Sequence, residues 1–492
     1  MVLGLLVLVA GCGGSNDGDA ALLPTAPTTS ATSAAPTVPT SSAPTTTTIE
    51  LPPTVPLAWR ACGGGLDCAT VVVPVSYQAL SGPTFELALI RNPADDPDQR
   101  IGTLVVNPGG PGASGVQRVA RGFEVSQEVA DRFDIVGFDP RGVGESTPIT
   151  CGDAVPAFRA TDLAPDTPAE AAALEAAARR VATECAATEG DRLAHLGTVE
   201  VAHDVEVIRR SIGEAQISFV GLSYGTLIGQ LWADRYPTSV RAVVLDGVVD
   251  PGATSAGSIE QADGVDDAVE AMAAACAIDA SCPLSATGGF LASYDELARR
   301  IDTGAVAGSD VGPTQLAHAA FYATYDADTW PALWRAVGRG LDGDLSGVAE
   351  LAASYARLVP YAPFAIVTCL DGVHPAGYAA WQADGDRFER ASPRFGRLLS
   401  NELLPCAFWP PASFVARPLE ARGTPPILVI GSTGDAATPY ESAVRVARTL
   451  DAGALLTVEL SGHVALGDSA CATQRATRYL IDLEVPEVGA RC

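Results

Sequence analysis

Short apolar runs alternate along most of this chain with longer stretches whose apolar residues recur at helical spacing. Thr70–Pro74, Phe85–Ile90, Thr103–Asn107 and Ile135–Phe138 are rich in β-branched and aromatic residues and end in Gly, Pro or Asp, which predicts strands. Pro168–Thr188 is dense in Ala, Glu and Arg, and Val201–Ile212 repeats apolar residues at helical intervals, so both read as helices. Strand Ile217–Val220, helix Thr226–Arg235 and strand Ala242–Leu245 follow in quick succession. The alternation stops over 251–422, which is Ala-rich, dotted with aromatics and mostly helical in pattern. It resumes with strands Ile427–Ile430 and Leu455–Leu460 and a last helix at Thr473–Leu483. This order predicts an α/β fold with a mostly parallel sheet flanked by helices. The core is split into 57–250 and 423–492 by a largely helical cap domain inserted between sheet strands. The cap is expected over the carboxyl ends of the strands, where open α/β sheets bind ligands.

The N-terminal pattern is different. Val2–Ala10 is a continuous apolar run, as long as a signal-peptide core and far short of the roughly 20 residues that span a bilayer. Val9-Ala10-Gly11-Cys12 closes it and resembles a lipobox, although no basic residue precedes Val2. The expectation is a signal peptide over 1–11 and lipidation at Cys12. Residues 12–56 are mostly Thr, Pro, Ser and Ala, a composition that cannot offset the entropy of ordering a backbone. They read as a tether, which at about 3.1 Å per residue would reach about 130 Å from a membrane anchor.

Composition narrows the partners. The net charge is −27, from 31 basic and 58 acidic residues, and every basic residue is arginine. Phosphate recognition needs a basic surface, so nucleic acid is excluded as a partner. Eleven cysteines leave ten once Cys12 is set aside, an even number behind an export signal, which predicts disulfides. Cys62/Cys68 and Cys276/Cys282 are the nearest neighbours in sequence and the first pairs expected. Neither has zinc-ligand spacing or an adjacent histidine, so no metal and no cofactor is expected.

Gly221-Leu222-Ser223-Tyr224-Gly225 matches G-x-S-x-G between a predicted strand and a predicted helix. So sharp a turn strains the serine backbone and leaves no room for neighbouring Cβ atoms, hence the glycines. A serine hydroxyl attacks only when a base takes its proton. Of five histidines, His195, His203, His318 and His374 precede the nucleophile or lie in the insertion and are assigned to surface or packing. His463 follows the Leu455–Leu460 strand, where the base belongs in a Ser, Asp, His order. Asp435, in the turn Gly431-Ser432-Thr433-Gly434-Asp435, is the expected orienting acid, with Asp246 as its rival. The glycine-rich Asn107–Gly112 loop lacks phosphate-loop spacing and is assigned to the oxyanion, with donors at Gly110 and at Tyr224.

Together Asn107–Gly112, Asp139-Pro140-Arg141-Gly142-Val143-Gly144, Gly221–Gly225, Leu245-Asp246-Gly247, Gly434-Asp435 and Gly462-His463 resemble a known group across nearly all of 57–492. It is that of the secreted tripeptidyl aminopeptidases and related actinobacterial lipoprotein serine proteases of the α/β-hydrolase fold, relatives of proline iminopeptidase. Pro108 stands before the double glycine, as in the tripeptidyl group, where proline iminopeptidases have histidine. The resemblance implies an exported peptidase acting on peptide or protein substrates near a free N-terminus. It would be lipid-anchored outside the cytoplasmic membrane or secreted, with a cap carboxylate holding the substrate ammonium. Asp371 is the candidate for that carboxylate, its alternative being a solvated turn aspartate. Two other functions remain open: an esterase or lipase with the same triad, and a non-catalytic binding lipoprotein on a hydrolase fold. The intact Ser, Asp, His set speaks against the last.

If Ser223 is the nucleophile, a fluorophosphonate labels the wild-type protein and not Ser223→Ala. Equal labelling of the two by mass spectrometry would refute the assignment.

Overall fold

The computed structural model describes residues 49–252, 259–285, 288–306, 311–410 and 417–492. Residues 1–11, Cys12 and the tether as far as Thr48 lie outside these residues. Among the described residues nine strands are present: β1 (Arg60–Gly63), β2 (Leu66–Pro74), β3 (Thr84–Asn92), β4 (Gly102–Asn107), β5 (Phe133–Phe138), β6 (Ile217–Leu222), β7 (Val240–Asp246), β8 (Ile427–Gly434) and β9 (Gly453–Ser461). They form one sheet in the order β1-β2-β3-β5-β4-β6-β7-β8-β9. The first three pair antiparallel with their neighbours, and from β5 to β9 every pair is parallel. All eight strands expected from the sequence are there; β1, whose four residues are all exposed, carries no apolar pattern to betray it.

Both faces of the parallel strands are buried, and their sequences show why they are apolar without alternation. In β4, Val105 belongs to one core cluster while Leu104 and Val106 belong to the other. In β8, Ile427 and Val429 face the first cluster and Leu428 and Ile430 the second. Helix Pro168–Glu189 starts as its sequence dictates. Pro168 opens the first turn, the Thr167 hydroxyl accepts from Glu170 N–H at 3.2 Å, and Glu170 accepts from Thr167 N–H at 2.9 Å. Among the described residues, eight α-helices and no strand lie between β7 and β8, and no helix is long and apolar enough to cross a membrane.

The structure departs from the sequence reading in two places. Residues 49–56, assigned to the tether, belong to the body: Ile49 and Leu51 pack against the larger core cluster, and Arg210 donates to the Pro52 carbonyl at 3.3 Å. Two apolar side chains in a Thr/Pro-rich run were enough to dock its end. Second, the helical layer does not come from the insertion alone. Helix Pro168–Glu189 packs on Leu404–Phe408, Leu163 N–H donates to the Thr314 hydroxyl at 3.1 Å, and Asn401 donates to the Leu163 carbonyl at 2.8 Å. The segment after β5 thus joins the insertion.

Ten cysteines close five disulfides: Cys62–Cys68, Cys151–Cys185, Cys276–Cys282, Cys369–Cys406 and Cys471–Cys492. Both pairs expected from their spacing are among them.

The Asp139–Gly144 motif is structural. Asp139 accepts from the Ser114 hydroxyl at 2.6 Å and from the N–H groups of Val116 and Glu145 at 3.1 and 2.8 Å, tying the β4 and β5 loops together. Arg141 has no exposed side-chain surface. Its guanidinium grips Asp204, equally enclosed, at 2.6 and 2.7 Å, and donates to the carbonyls of Pro74, Val75 and His195. Asp204 also accepts from the Tyr77 hydroxyl at 2.6 Å. One ion pair therefore joins β2, the β5 loop and helix Thr198–Ile212. Removing one member strands a buried charge, so Asp204→Ala should lose about 3–5 kcal/mol of stability, measured by urea unfolding with the disulfides intact.

Candidate active site

The sheet order reverses direction around β4: the chain passes from β4 to β5 on one side and reaches β6 on the other. Loops after β4 and β6 therefore leave in opposite senses and open a crevice at the carboxyl ends of the strands. Ser223 sits at the end of β6 and Asn107–Gly112 at the end of β4, both at this crevice.

Ser223 has φ +54 and ψ −126, a conformation that non-glycine residues adopt only when held there. Its N–H donates to the Asp246 carbonyl at 2.8 Å and its own carbonyl accepts from Thr226 N–H at 2.9 Å. The flanking glycines are sterically compelled. A Cβ on Gly221 would lie 2.3 Å from the Gly225 carbonyl oxygen, and one on Gly225 would lie 2.5 Å from that of Asn107. The β4 loop presses equally close, since a Cβ on Gly109 would come within 2.9 Å of the Ser223 Cβ and 3.1 Å of the Tyr224 nitrogen. Tyr224 begins helix Tyr224–Arg235, so its N–H has no intrahelical acceptor. Gly110 lines the same cavity of about 250 Å3 as Ser223 and Tyr224.

His463 and Asp435 meet across the ends of β9 and β8. His463 Nδ1 lies 2.9 and 2.8 Å from the two carboxylate oxygens of Asp435. A carboxylate only accepts, so Nδ1 carries the proton and Nε2 is left bare; Nε2 is buried and has no hydrogen-bond partner. Asp435 is oriented by the N–H groups of Ala437 and Thr438 and the Thr438 hydroxyl, each at 2.9 Å. Burial works against the imidazolium, but the charge and hydrogen bonds of Asp435, with the charge of Asp246, outweigh it and hold His463 above its ordinary value. Asp246 is employed elsewhere: it accepts from Ala465 N–H at 2.9 Å and Leu466 N–H at 2.7 Å, and burial pushes its carboxyl up to about 7. It braces the loop behind His463.

The remaining histidines are scattered. His195 lies 3.5 Å from Glu200, and His203 bonds the Tyr236 hydroxyl, with burial pushing it down to about 3. His374 sits 3.1 Å from the Thr368 carbonyl.

The helical insertion supplies groups that sequence reasoning missed. The Tyr325 carbonyl accepts from His463 N–H at 2.9 Å, and its ring stands edge-on to the imidazole with centroids 5.1 Å apart. Glu402 lines the Ser223 cavity, is 5% exposed, and its Oε1 has no hydrogen bond; the His318 imidazole lies close, its Nε2 3.5 Å away. No motif marks either residue. Asp371 lines the cavity too, half-buried and already bonded. Its oxygens accept from Thr198, one from the N–H at 2.9 Å and the other from the hydroxyl, and burial pushes it up to about 7.

The sheet, its crevice and the serine on a strained strand-to-helix turn define an α/β-hydrolase. Residues 392–492 match the family model described as TAP-like protein. Among curated relatives, the serine protease Hip1 of Mycobacterium tuberculosis is 34% identical over 484 residues, covering 89% of this chain and 91% of that protein. Carboxylesterase B of the same organism is 36% identical, covering 86% of each chain. The tripeptidyl aminopeptidase of Streptomyces lividans is 31% identical, covering 86% of this chain and 84% of that one. The chain belongs to this tripeptidyl-aminopeptidase-like family of serine hydrolases.

With Asp435 as the orienting acid, folded Asp435→Asn should lose on the order of 10⁴ in turnover. The acid limb of kcat/KM should lie above the range of a free histidine in the wild type, because protonated His463 cannot act as base, and should fall toward it in the variant. Asp246→Asn should lower thermal stability more than rate. Near-normal turnover in Asp435→Asn with loss in Asp246→Asn would overturn the assignment.

Proposed function

We propose that the protein is an exported serine peptidase that hydrolyses peptide bonds near the N-terminus of peptides. Ser223 Oγ attacks the scissile carbonyl and passes its proton to His463 Nε2, while the N–H groups of Gly110 and Tyr224 receive the oxyanion. His463, its imidazolium stabilised by Asp435, returns the proton to the leaving nitrogen as the C–N bond breaks. Water then enters on the same base, the acyl–oxygen bond to Ser223 breaks, and the N-terminal fragment is released. Export and an anchor at Cys12 belong to the same reading, since five disulfides suit an oxidising compartment.

Glu402 carries the choice of substrate. Glu402 lines the cavity of Ser223, and its enclosed Oε1 has no hydrogen bond, only the His318 imidazole 3.5 Å away, so a full cation entering the cavity would be its stronger partner. A substrate's terminal ammonium supplies that cation, so Glu402 takes the role that the sequence assigned to Asp371. The competing reading, an ester substrate, draws on the carboxylesterase relative and on the apolar cavity wall of Leu227, Val248, Phe364, Val367, Leu399 and Leu403. The two differ in their need for an amine. Glu402→Gln should lower kcat/KM for a free-amine tripeptide anilide, relative to an amine-free acyl ester, on the order of 10²-fold. An unchanged ratio would favour the ester reading.

A further inference from the structure

We propose that Asp371 is a positioning residue for acyl transfer, acting through Thr198 on the residue that follows Ser223. This rests on Ser223 as nucleophile and the Tyr224 N–H as oxyanion donor, and not on which acyl compound is cleaved.

Three helix ends converge here: Asp371 closes helix Tyr361–Asp371, Thr198 opens helix Thr198–Ile212, and Tyr224 opens helix Tyr224–Arg235. With Asp371 ionised, their proton inventory has one solution. The Asp371 carboxylate only accepts, and it takes the Thr198 N–H at 2.9 Å on Oδ1 and the Thr198 hydroxyl on Oδ2. With its single proton spent, Thr198 Oγ1 can only accept from the Tyr224 phenol, 2.5 Å away. The chain therefore runs from Tyr224 through Thr198 to Asp371. Thr198 is wholly enclosed and Tyr224 nearly so, so water does not compete for the bond between them.

What the chain holds is the far side of a strained turn. Ser223 keeps φ +54 only while its neighbours over-determine it. Its N–H is fixed by the Asp246 carbonyl; the following residue is fixed by its phenol. Because phenol and N–H belong to one side chain and one peptide, anchoring the ring sets the direction of the donor. The Gly109 backbone abuts that same nitrogen, so a shift of Tyr224 would disturb the Gly110 loop as well. The final link, Asp371, belongs to the helical insertion, and its helix is pinned to the Glu402 segment by Cys369–Cys406. The insertion thereby bears on the oxyanion site as well as on the cavity wall.

The test compares Asp371→Asn, Thr198→Val and Tyr224→Phe with wild type. The probes are p-nitrophenyl butyrate, a tripeptide anilide and the second-order rate of fluorophosphonate labelling. Misplacing the donor should lower kcat on either substrate, and the labelling rate, on the order of 10- to 100-fold, with KM within about twofold. Affinity for a trifluoromethyl ketone should fall in parallel, which a purely structural role would not produce. Thr198→Ser, which keeps the hydroxyl, should restore the rates. Wild-type rates in Tyr224→Phe would overturn the proposal. So would a rise in KM confined to the tripeptide in Asp371→Asn, which would return Asp371 to the substrate ammonium. The ester and the fluorophosphonate test the brace even if no tripeptide is cleaved, so failure of the peptidase reading stays distinct.

Discussion

The conformation of Ser223 is the constraint on which the rest of the structure depends. A non-glycine residue at φ +54 relaxes unless its surroundings forbid it. Here Gly221 and Gly225 let β6 and its helix cross in van der Waals contact, and the β4 loop closes the space from the other side. The parallel strands bring these loops to one end of the sheet, and burial of both faces keeps them in register. Arg141 and Asp204 then lock the antiparallel edge to helix Thr198–Ile212, whose first residue reaches Tyr224.

Four carboxylates around this crevice, three of them enclosed and Asp371 half-buried, illustrate that partners, and not residue type, decide what an acid does. Asp435 faces an imidazole and is backed by two N–H groups and a hydroxyl. Asp246 meets only backbone amides and acts as a brace. Asp371 is satisfied by Thr198. Of the four, Glu402 alone has an oxygen without a hydrogen bond, its neighbour being the His318 imidazole at 3.5 Å, and it lines the cavity beside Asp371.

The helical layer carries more of the site than a lid would. Tyr325 holds the loop of His463 by a backbone bond and an edge-on ring, and Asp371 and Glu402 enter the cavity from the same layer. The sheet carries Ser223, His463, Asp435 and the Asn107–Gly112 loop at one end, while the layer restrains them and lines the cavity of Ser223.

By itself the sequence determined the parallel-sheet architecture, the elbow at Ser223 and the short list of partners for it. Each of these is local: strand and helix periodicity, glycines forced by a sharp turn, and the scarcity of histidines in a Ser, Asp, His order. It also determined that ten cysteines would pair, though only the closest pairs could be named. Tertiary structure alone showed which of Asp435 and Asp246 meets the His463 imidazole, since the two occupy equivalent strand-end positions and differ only in what they face. It alone showed Thr198 donating to both oxygens of Asp371, raised Glu402 and Tyr325 from unmarked helical residues to neighbours of the site, and drew residues 49–56 and helix Pro168–Glu189 out of their expected domains. The physical reason is common to all of these. A hydrogen bond or an empty cavity forms between groups far apart in the chain, and nothing in the local pattern of either partner records the distance between them.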